Sequence, residues 1–201
     1  MDLALEWLKF DDAYWHEIES GRTVFPEYVQ TKEDRRVYAQ SMRFVLFFES
    51  FPISFEQAIH FNDVYCENFG MNIVPILGAE EVLCFLKENY EIYIATNGPR
   101  RSALKKLENA NLSSYISGVL SSEDAGITKP SKIFFDSLFQ MMQYPHKEEA
   151  LMIGDGITTD ILGGMQYGID TCLFNPNNNQ IPMDCKPTMS VQSLLELKRK
   201  L

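Results

Sequence analysis

The chain has 201 residues, enough for one compact domain or for a core with a small second domain, and 45% of the residues are apolar. Its formal net charge of −10 argues against binding to a nucleic-acid polymer, which needs a basic face. The sequence contains no apolar stretch long enough to cross a membrane and no signal-peptide pattern. We therefore expect a cytoplasmic protein without a membrane or a nucleic acid as partner. A small phosphorylated substrate in a local positive pocket remains compatible with the charge.

The cysteines favour a reducing compartment. None of them has the CxxC or Cys/His spacing that is typical of a zinc site. We expect free thiols at Cys66, Cys84, Cys172 and Cys185.

The first 74 residues are predicted to be helical and to form a layer separate from the rest. An initial helix is expected to end near Gly21. Thr31 and Asp34 have the spacing of a capping box, with Asp in place of the usual Glu or Gln, and they predict a second helix that is broken near Pro52. Ser54 is expected to cap a third helix that runs toward residue 70.

From residue 79 onward, helices alternate with short apolar strands. The predicted strands cover residues 90–95, 115–120, 150–153 and 170–174, and Ser190 is expected to cap a final helix. This alternation is typical of a parallel sheet that helices cover on both faces. The expected fold class is therefore α/β, with a helical domain at residues 1–74 and a doubly wound core at residues 75–201.

Three loops with polar residues are expected to meet at the carboxyl edge of this sheet. Thr96, Asn97 and Gly98 follow the first strand and offer a hydroxyl and backbone N–H groups to phosphate oxygens. Lys129 stands at the start of a later helix, where it could neutralise a phosphate. Each feature alone also fits an ordinary turn or a solvated side chain. Their occurrence together favours a phosphate site.

Asp155 and Asp160 indicate a Mg²⁺ site in the segment ALMIGDGITTDILGG, residues 150–164. An apolar run, a Gly-rich turn and a helix start form the βα layout in which functional loops lie at the carboxyl end of a strand. Mg²⁺ takes oxygen ligands, commonly one or two carboxylates together with substrate phosphate. A turn aspartate followed by an aspartate at a helix N-terminus would give the same pattern without a metal.

Three segments resemble the motifs of haloacid dehalogenase-like (HAD) superfamily phosphohydrolases: IYIATNGP, ITKPSKIFF and LMIGDGITTDILGG. The resemblance covers almost the whole chain. Three further segments, YWHEIESGRT, LSSEDAGITKP and PTMSVQSLLEL, resemble bacterial pyrimidine 5′-nucleotidases within that superfamily. The resemblance implies a Rossmann-like core, a helical cap at residues 1–74 that reads the leaving group, and Mg²⁺ as cofactor.

By this resemblance, Thr96 binds the transferring phosphoryl group, helped by the backbone at Asn97 and Gly98. Lys129 neutralises the charge of the phosphate and the nucleophile, so Thr96 and Lys129 are the expected catalytic residues. Asp155 ligates Mg²⁺. Asp160 either lies in the outer shell of the metal or orients Lys129.

One part of the family pattern is missing, the first motif, in which an apolar strand ends in DxDxT. Its first aspartate is the nucleophile that forms an aspartyl-phosphate, and its second is the acid and base. The early pair Asp11-Asp12 has the wrong spacing and lies in a helical pattern, so we expect a solvated helix turn there. In the resembling family the missing strand lies between those that end at Thr96 and Asp155, and its loss would leave two unpaired edges. Three explanations stay open: a start at an internal Met of a longer protein, another chain or segment that fills the gap, and a rearranged fold.

The leading hypothesis is a Mg²⁺-dependent phosphatase that acts on a small phosphomonoester, a nucleoside monophosphate, and that is inactive as this chain alone. The alternative is a non-catalytic, HAD-like pseudophosphatase with a binding or regulatory role. A dehalogenase is a third option, which a metal site at Asp155 disfavours because dehalogenation needs no Mg²⁺. An exposed sheet edge would also favour a homo-oligomer.

Overall fold

The computed structural model describes residues 3–19, 24–49, 51–69 and 73–201. The expected helix stop at Gly21 lies outside these ranges. The chain separates into two compact units, residues 1–69 and residues 70–201. None of the helices in the described ranges is long and apolar enough to cross a membrane. All four cysteines are free thiols, as expected.

The first unit contains three helices, α1 (Leu3–Glu19), α2 (Lys32–Phe47) and α3 (Phe55–Phe69). The predicted capping box of α2 is confirmed. The Thr31 hydroxyl accepts a hydrogen bond from the Asp34 N–H at 3.0 Å, and the Asp34 carboxylate accepts one from the Thr31 N–H at 3.2 Å. Ser54 caps α3, as predicted, because its hydroxyl accepts a hydrogen bond from the N–H of Gln57 at 3.2 Å. Both caps satisfy N–H groups that the first turn of a helix leaves unpaired.

Arg43 occupies the centre of the first unit, with only 5% of its surface exposed. Its guanidinium group donates hydrogen bonds to the Asp11 carboxylate at 2.9 Å and to the side-chain oxygen of Asn62 at 3.0 Å. Four aromatic rings have their centroids 4.7–5.7 Å from its central carbon, those of Trp7, Trp15, Phe44 and Tyr65. Because these partners come from all three helices, Arg43 connects the whole unit.

The expectation that Asp11 lies on a solvated helix turn is wrong. α1 is one continuous helix that turns Asp11 toward Arg43, so only 21% of the Asp11 side chain is exposed. A buried guanidinium group needs an anionic partner, because an isolated charge is costly to remove from water. The side chain of Asp12 lies outside the described part of the chain.

In the second unit, helices and short strands alternate. The helices are α4 (Ala79–Lys87), α5 (Arg100–Asn109), α6 (Ser122–Ala125), α7 (Lys132–Met141), α8 (Leu162–Tyr167) and α9 (Leu197–Lys200). The strands are β1 (Tyr93–Thr96), β2 (Gly118–Ser121), β3 (Leu151–Gly154), β4 (Asp170–Phe174) and β5 (Met189–Val191). β1 to β4 confirm the predicted strands.

The prediction that Ser190 caps the final helix is wrong, because Ser190 lies inside β5. Its hydroxyl donates a hydrogen bond to the backbone oxygen of Leu173 in β4 at 3.2 Å. The cap lies three residues later, where the Ser193 hydroxyl accepts a hydrogen bond from the N–H of Leu195 at 3.3 Å in a 3₁₀ turn before α9. A strand of three residues is too short to show a clear alternating pattern in the sequence.

The strands form two parallel sheets, and the break between them falls between β1 and β3, where the sequence predicts two unpaired edges. β1 pairs with β2, and β3, β4 and β5 form the second sheet in that order. Within the described residues, neither β1 nor β3 is paired along its other edge. All pairs are parallel, as predicted, so the carboxyl ends of paired strands lie at the same edge of each sheet.

Both faces of the three-stranded sheet are covered, as the doubly wound fold predicts. Successive residues of a strand point to opposite faces. Cys172 in β4 belongs to a buried cluster with Val82 of α4 and Leu197 of α9, whereas the adjacent Leu173 packs with Ile161, just before α8. The helices thus fix the sheet from both sides and position the loops at its carboxyl edge.

Loss of the Asp11 charge should destabilise the first unit. In Asp11→Asn, Arg43 loses its anionic partner, and we expect the free energy of unfolding to fall by about 1.5–3 kcal/mol. Tryptophan fluorescence during urea unfolding measures this change in the first unit alone, because the two tryptophans of the chain, Trp7 and Trp15, both lie in α1. The control Asp63→Asn removes an exposed charge from α3 and should leave the midpoint nearly unchanged. Equal effects of the two substitutions would contradict a structural role for the ion pair.

Candidate active site

The carboxyl end of β1 carries the first predicted phosphate loop. β1 ends at Thr96, and the chain turns through Asn97, Gly98 and Pro99 into α5. The Thr96 hydroxyl accepts a hydrogen bond from the N–H of Gly98 at 3.0 Å, which stabilises this turn. The N–H of Gly98, expected to face phosphate, is therefore engaged within the loop. The hydroxyl proton of Thr96 stays available as a donor.

The side chain of Asn97 clamps the backbone of Lys129. Its Oδ1 accepts a hydrogen bond from the Lys129 N–H at 2.8 Å, and its Nδ2 donates one to the Lys129 carbonyl oxygen at 3.2 Å. Sequence reasoning assigns only the backbone of Asn97 to the site. The clamp joins residues 32 positions apart, so no local pattern reveals it. Asn97 thus determines where the backbone of Lys129 lies.

Lys129 is buried, with 8% of its surface exposed. Its ammonium group donates hydrogen bonds to the backbone oxygen of Ala95 at 2.6 Å and to Oδ1 of Asp160 at 2.7 Å. Ala95 lies in β1 and Asp160 follows β3, so the ammonium group connects the ends of the two sheets. An ammonium group has three N–H donors, and the third has no partner among the described residues. This donor is available for an anion.

Asp160 is as deeply buried as its partner, with 6% of its surface exposed. Its Oδ2 accepts a hydrogen bond from the N–H of Gly156 at 3.0 Å, while Oδ1 contacts Lys129. The residue lies in a π-helical turn (Ile157–Ile161) that leads into α8. Both oxygens have protein partners, which favours the orientation of Lys129 over direct contact with a metal. The metal role of Asp160 stays a prediction.

The glycines on either side of Asp155 leave room for neighbouring polar side chains. A Cβ atom on Gly154 would lie 2.5 Å from Cγ of Asp160, and a Cβ atom on Gly156 would overlap the hydroxyl of Thr159. A side chain at either position would displace these groups. The two glycines are therefore required by the packing of Asp160 and Thr159, in addition to being favourable residues for a turn.

Asp155 is the free carboxylate of the site. It directly follows β3, is exposed, and has no hydrogen-bond or ion-pair partner in the described ranges. Such a carboxylate fits Mg²⁺, which binds one or two carboxylates and completes its shell with water and substrate phosphate. Nowhere in residues 3–19, 24–49, 51–69 and 73–201 do three or more acidic, His or Cys side chains form a ready-made metal cage. The residues present thus fit an ion that Asp155 and the substrate would share, and this ligand role stays a prediction.

Among the predicted site residues, the structure joins Asn97, Lys129 and Asp160 in one hydrogen-bonded group. Thr96 and Asp155 lie at the two strand ends that this group connects, and no hydrogen bond links either side chain to it within the described chain. An anion at the free N–H of Lys129 would therefore lie near the ends of both β1 and β3.

The Asn97 clamp should control hydrogen exchange at the backbone of Lys129. In Asn97→Ala the Lys129 N–H loses its acceptor, and we expect its exchange to become at least about tenfold faster, because local opening no longer breaks that bond. The matched control Asn97→Asp keeps an acceptor oxygen and should keep the Lys129 N–H protected. Amide exchange measured by NMR distinguishes the three proteins. Unchanged protection in Asn97→Ala would contradict the clamp.

Comparison with known proteins gives relatives with phosphatase names. The chain is 33% identical over 140 residues to the pyrimidine 5′-nucleotidase YjjG of Escherichia coli. This alignment covers 70% of the chain and 62% of YjjG. It is 35% identical over 121 residues to the pyrimidine 5′-nucleotidase PynA of Streptococcus pneumoniae. That alignment covers 60% of the chain and 51% of PynA. Overall, the chain spans about half the length of the curated relatives it matches.

Two solved structures have a fold that matches almost the full length of this chain. The HAD-hydrolase YfnB of Bacillus subtilis, crystallised with bound magnesium, has a TM-score of 0.85 and 26% sequence identity, and the match covers 100% of this chain and 82% of YfnB. A 2-haloacid dehalogenase of Pseudomonas syringae shares the fold at 18% identity, with a TM-score of 0.66 over 98% of this chain and 91% of that protein. The family model for haloacid dehalogenase-like hydrolases matches residues 8–168. The chain therefore belongs to the haloacid dehalogenase-like hydrolase family, as its motifs and its α/β fold predicted.

Proposed function

We propose that this chain is part of a Mg²⁺-dependent phosphatase that hydrolyses a small phosphomonoester, a nucleoside monophosphate. The observation that carries the proposal is the buried ammonium group of Lys129, which contacts β1 and Asp160 and keeps one N–H donor free. A charged donor in that position suits a phosphate oxygen. The relatives named pyrimidine 5′-nucleotidases support the choice of substrate.

Each site residue has a role in binding the phosphoryl group. The Thr96 hydroxyl donates to one phosphoryl oxygen, and the third N–H of Lys129 donates to another and neutralises its charge. Asp160 orients the ammonium group, and Asn97 holds the backbone of Lys129. Asp155 would hold Mg²⁺, which offsets the charge that develops on the phosphoryl oxygens.

The chemistry that suits this site is phosphoryl transfer to a carboxylate nucleophile. The carboxylate attacks phosphorus, the ester oxygen leaves and takes up a proton, and water then cleaves the aspartyl-phosphate to release phosphate. Asp160 is engaged by Lys129, and Asp11 is engaged by Arg43, so we assign neither as the nucleophile. The proposal therefore requires a nucleophile from a further strand and expects this chain alone to be inactive.

The unpaired edges of β1 and β3 are the place for that strand. Unpaired backbone N–H and C=O groups along a strand edge accept another strand. A parallel strand between β1 and β3 would end beside Lys129, because the ammonium group already lies between Ala95 of β1 and Asp160. If no such strand fills the gap, the same edges could pair between two copies of the chain and form a homo-oligomer.

The helical residues 1–74 are proposed as the cap that selects the leaving group, and residues 75–201 as the core. Two observations support this division. Residues 1–69 form a compact unit of their own, and their three helices pack around Arg43 without a strand in the described part.

A non-catalytic binding protein is the second candidate. Lys129 contacts no carboxylate other than that of Asp160 within the described residues, so a nucleophile is lacking beside it. In that case the site would bind a phosphorylated ligand without turnover. A dehalogenase is disfavoured because the exposed Asp155 fits a metal that dehalogenation does not need.

Removal of the proposed metal ligand should abolish catalysis. In a longer polypeptide that carries a DxDxT strand, Asp155→Ala should lower kcat for nucleoside monophosphates by about 10³-fold or more, because charge neutralisation by the metal is lost. Added Mg²⁺ should not restore it. The control Asp184→Ala removes an exposed carboxylate outside the site and should leave kcat unchanged. An active Asp155→Ala enzyme would rule out the assigned metal site.

A synthetic strand should complement the chain. We expect the 201-residue protein to hydrolyse no UMP by itself, and a peptide with four apolar β-branched residues followed by DxDxT to confer Mg²⁺-dependent release of phosphate. The same peptide with its first Asp replaced by Asn is the matched control. Turnover by the chain alone would show that the nucleophile lies within it. If the chain binds orthophosphate but the peptide restores no phosphate release, the result would favour the non-catalytic candidate.

A further inference from the structure

A polar cleft of about 770 Å³ lies at the carboxyl ends of β4 and β5. Its lining includes residues from the loop after β4 and residues that follow β5: Asn175, Asn178, Asn179, Gln180, Gln192 and Glu196. The volume falls in the range of small-molecule sites, about 300–1,000 Å³. Among the described residues, no Lys, Arg or His lines it.

The loop wall of the cleft is held in place by Asn175, which is 8% exposed. Its Nδ2 donates to the backbone oxygen of Asn179 at 2.9 Å, and its Oδ1 accepts from the Asn179 N–H at 2.9 Å. Its own N–H donates to the backbone oxygen of Val191 at the end of β5, at 2.8 Å. The loop is therefore attached to the sheet, which lowers the entropy cost of ligand binding.

The opposite wall is held by Glu196. Its Oε1 accepts hydrogen bonds from the backbone N–H groups of Ser193 at 2.9 Å and Gln192 at 3.0 Å. The backbone hydrogen bond from Ser193, followed by that from Gln192, keeps the pKa of the Glu196 carboxyl below its usual value. The carboxylate therefore stays ionised at neutral pH and repels anions from the cleft.

Four side-chain amides at the cleft have no partner in the part of the chain that the structure describes, those of Asn178, Asn179, Gln180 and Gln192. Each primary amide offers two donors and an acceptor. Fixed backbone, free amides and the absence of a lining cation suit an uncharged ligand with several hydroxyl or amide groups. After the two backbone hydrogen bonds, the charges of Lys200 and Arg199 also lower the pKa of Glu196, but neither side chain lines the cleft.

The cleft lies on the same edge of the sheet as Asp155. β3 pairs with β4 so that Gly154 lies opposite Leu173, and β4 pairs with β5 so that Leu173 lies opposite Ser190. Neighbouring strands are about 4.8 Å apart, so the residues that follow β5 lie about 10 Å from those that follow β3. One strand, β4, therefore separates Asp155 from the residues that follow β5.

We propose that this cleft binds the uncharged, hydroxyl- and amide-bearing part of the phosphorylated substrate. The proposal rests on the phosphatase function proposed above. It adds a substrate contact from the core, through Gln192 and the loop of residues 175–180, to any contact from residues 1–74.

NMR titration of the ¹⁵N-labelled, 201-residue protein tests the proposal with three probes. Uridine supplies an amide edge and ribose hydroxyls without a phosphate, orthophosphate with Mg²⁺ supplies only the charged part, and UMP with Mg²⁺ supplies both. We expect uridine to shift the side-chain amide signals of Asn179 and Gln192, and UMP to bind more tightly than uridine. Gln192→Leu and Gln180→Leu should each raise the Kd for uridine about three- to tenfold, because one or two hydrogen bonds are lost. The control Gln140→Leu changes an exposed amide in α7 and should leave that Kd unchanged.

The outcomes separate this proposal from the phosphatase proposal. The cleft assignment is overturned if uridine leaves the signals of the cleft unshifted. It is also overturned if uridine binds Gln192→Leu and Gln180→Leu as tightly as it binds the unmodified protein. UMP that binds no more tightly than uridine overturns the assignment to a phosphorylated substrate. If orthophosphate with Mg²⁺ fails to shift the signals of Lys129 and Gly98, this result counts against the phosphatase function. The test of the phosphatase function thus uses a different probe and different signals from the test of the cleft.

Discussion

The ion pair between Lys129 and Asp160 is the interaction on which the rest of the site depends. Burial of two opposite charges is costly unless their remaining donors and acceptors also find partners. Here the backbone oxygen of Ala95 accepts from the ammonium group, and the N–H of Gly156 donates to the carboxylate. Both additional contacts come from backbone groups at strand ends, so the pair also determines how the ends of β1 and β3 are placed. The same ion pair explains why residue 154 is a glycine, because a side chain at Gly154 would overlap the carboxylate of Asp160.

The two sheets show why a lysine suits this position. β1 and β3 are not hydrogen-bonded to each other among the described strands, and the ammonium group of Lys129 donates to the backbone oxygen of Ala95 in β1. A buried carbonyl group without a donor is unfavourable by about 1–3 kcal/mol. The long side chain of Lys129 supplies this donor from a loop that follows β2, and Asn97 holds the backbone from which it extends. The contact between the sheets is therefore made by side chains instead of a backbone ladder.

The sequence predicted those features that depend on local patterns. Alternation of apolar strands with helices indicated a parallel α/β core, and the Thr31 and Ser54 caps were visible from spacing alone. The carboxyl-edge loops could be predicted because functional residues in parallel sheets lie there.

Other features were missed because they depend on packing between distant residues. The Asn97 clamp and the contact of Asp11 with Arg43 both join residues 32 positions apart. β5 was missed because three residues show no clear alternation.

Charge balance connects the acidic composition to the metal that we propose. Lys129 is the cation at the junction of β1 and β3, and Asp160 already neutralises it at 2.7 Å. With Asp155 included, these three residues comprise two carboxyl groups and one amino group. A phosphate dianion would add further negative charge, in a chain whose formal net charge is already −10. In the proposed site, a divalent cation at Asp155 would reverse the sign locally, and phosphate binding beside Lys129 would then depend on the metal.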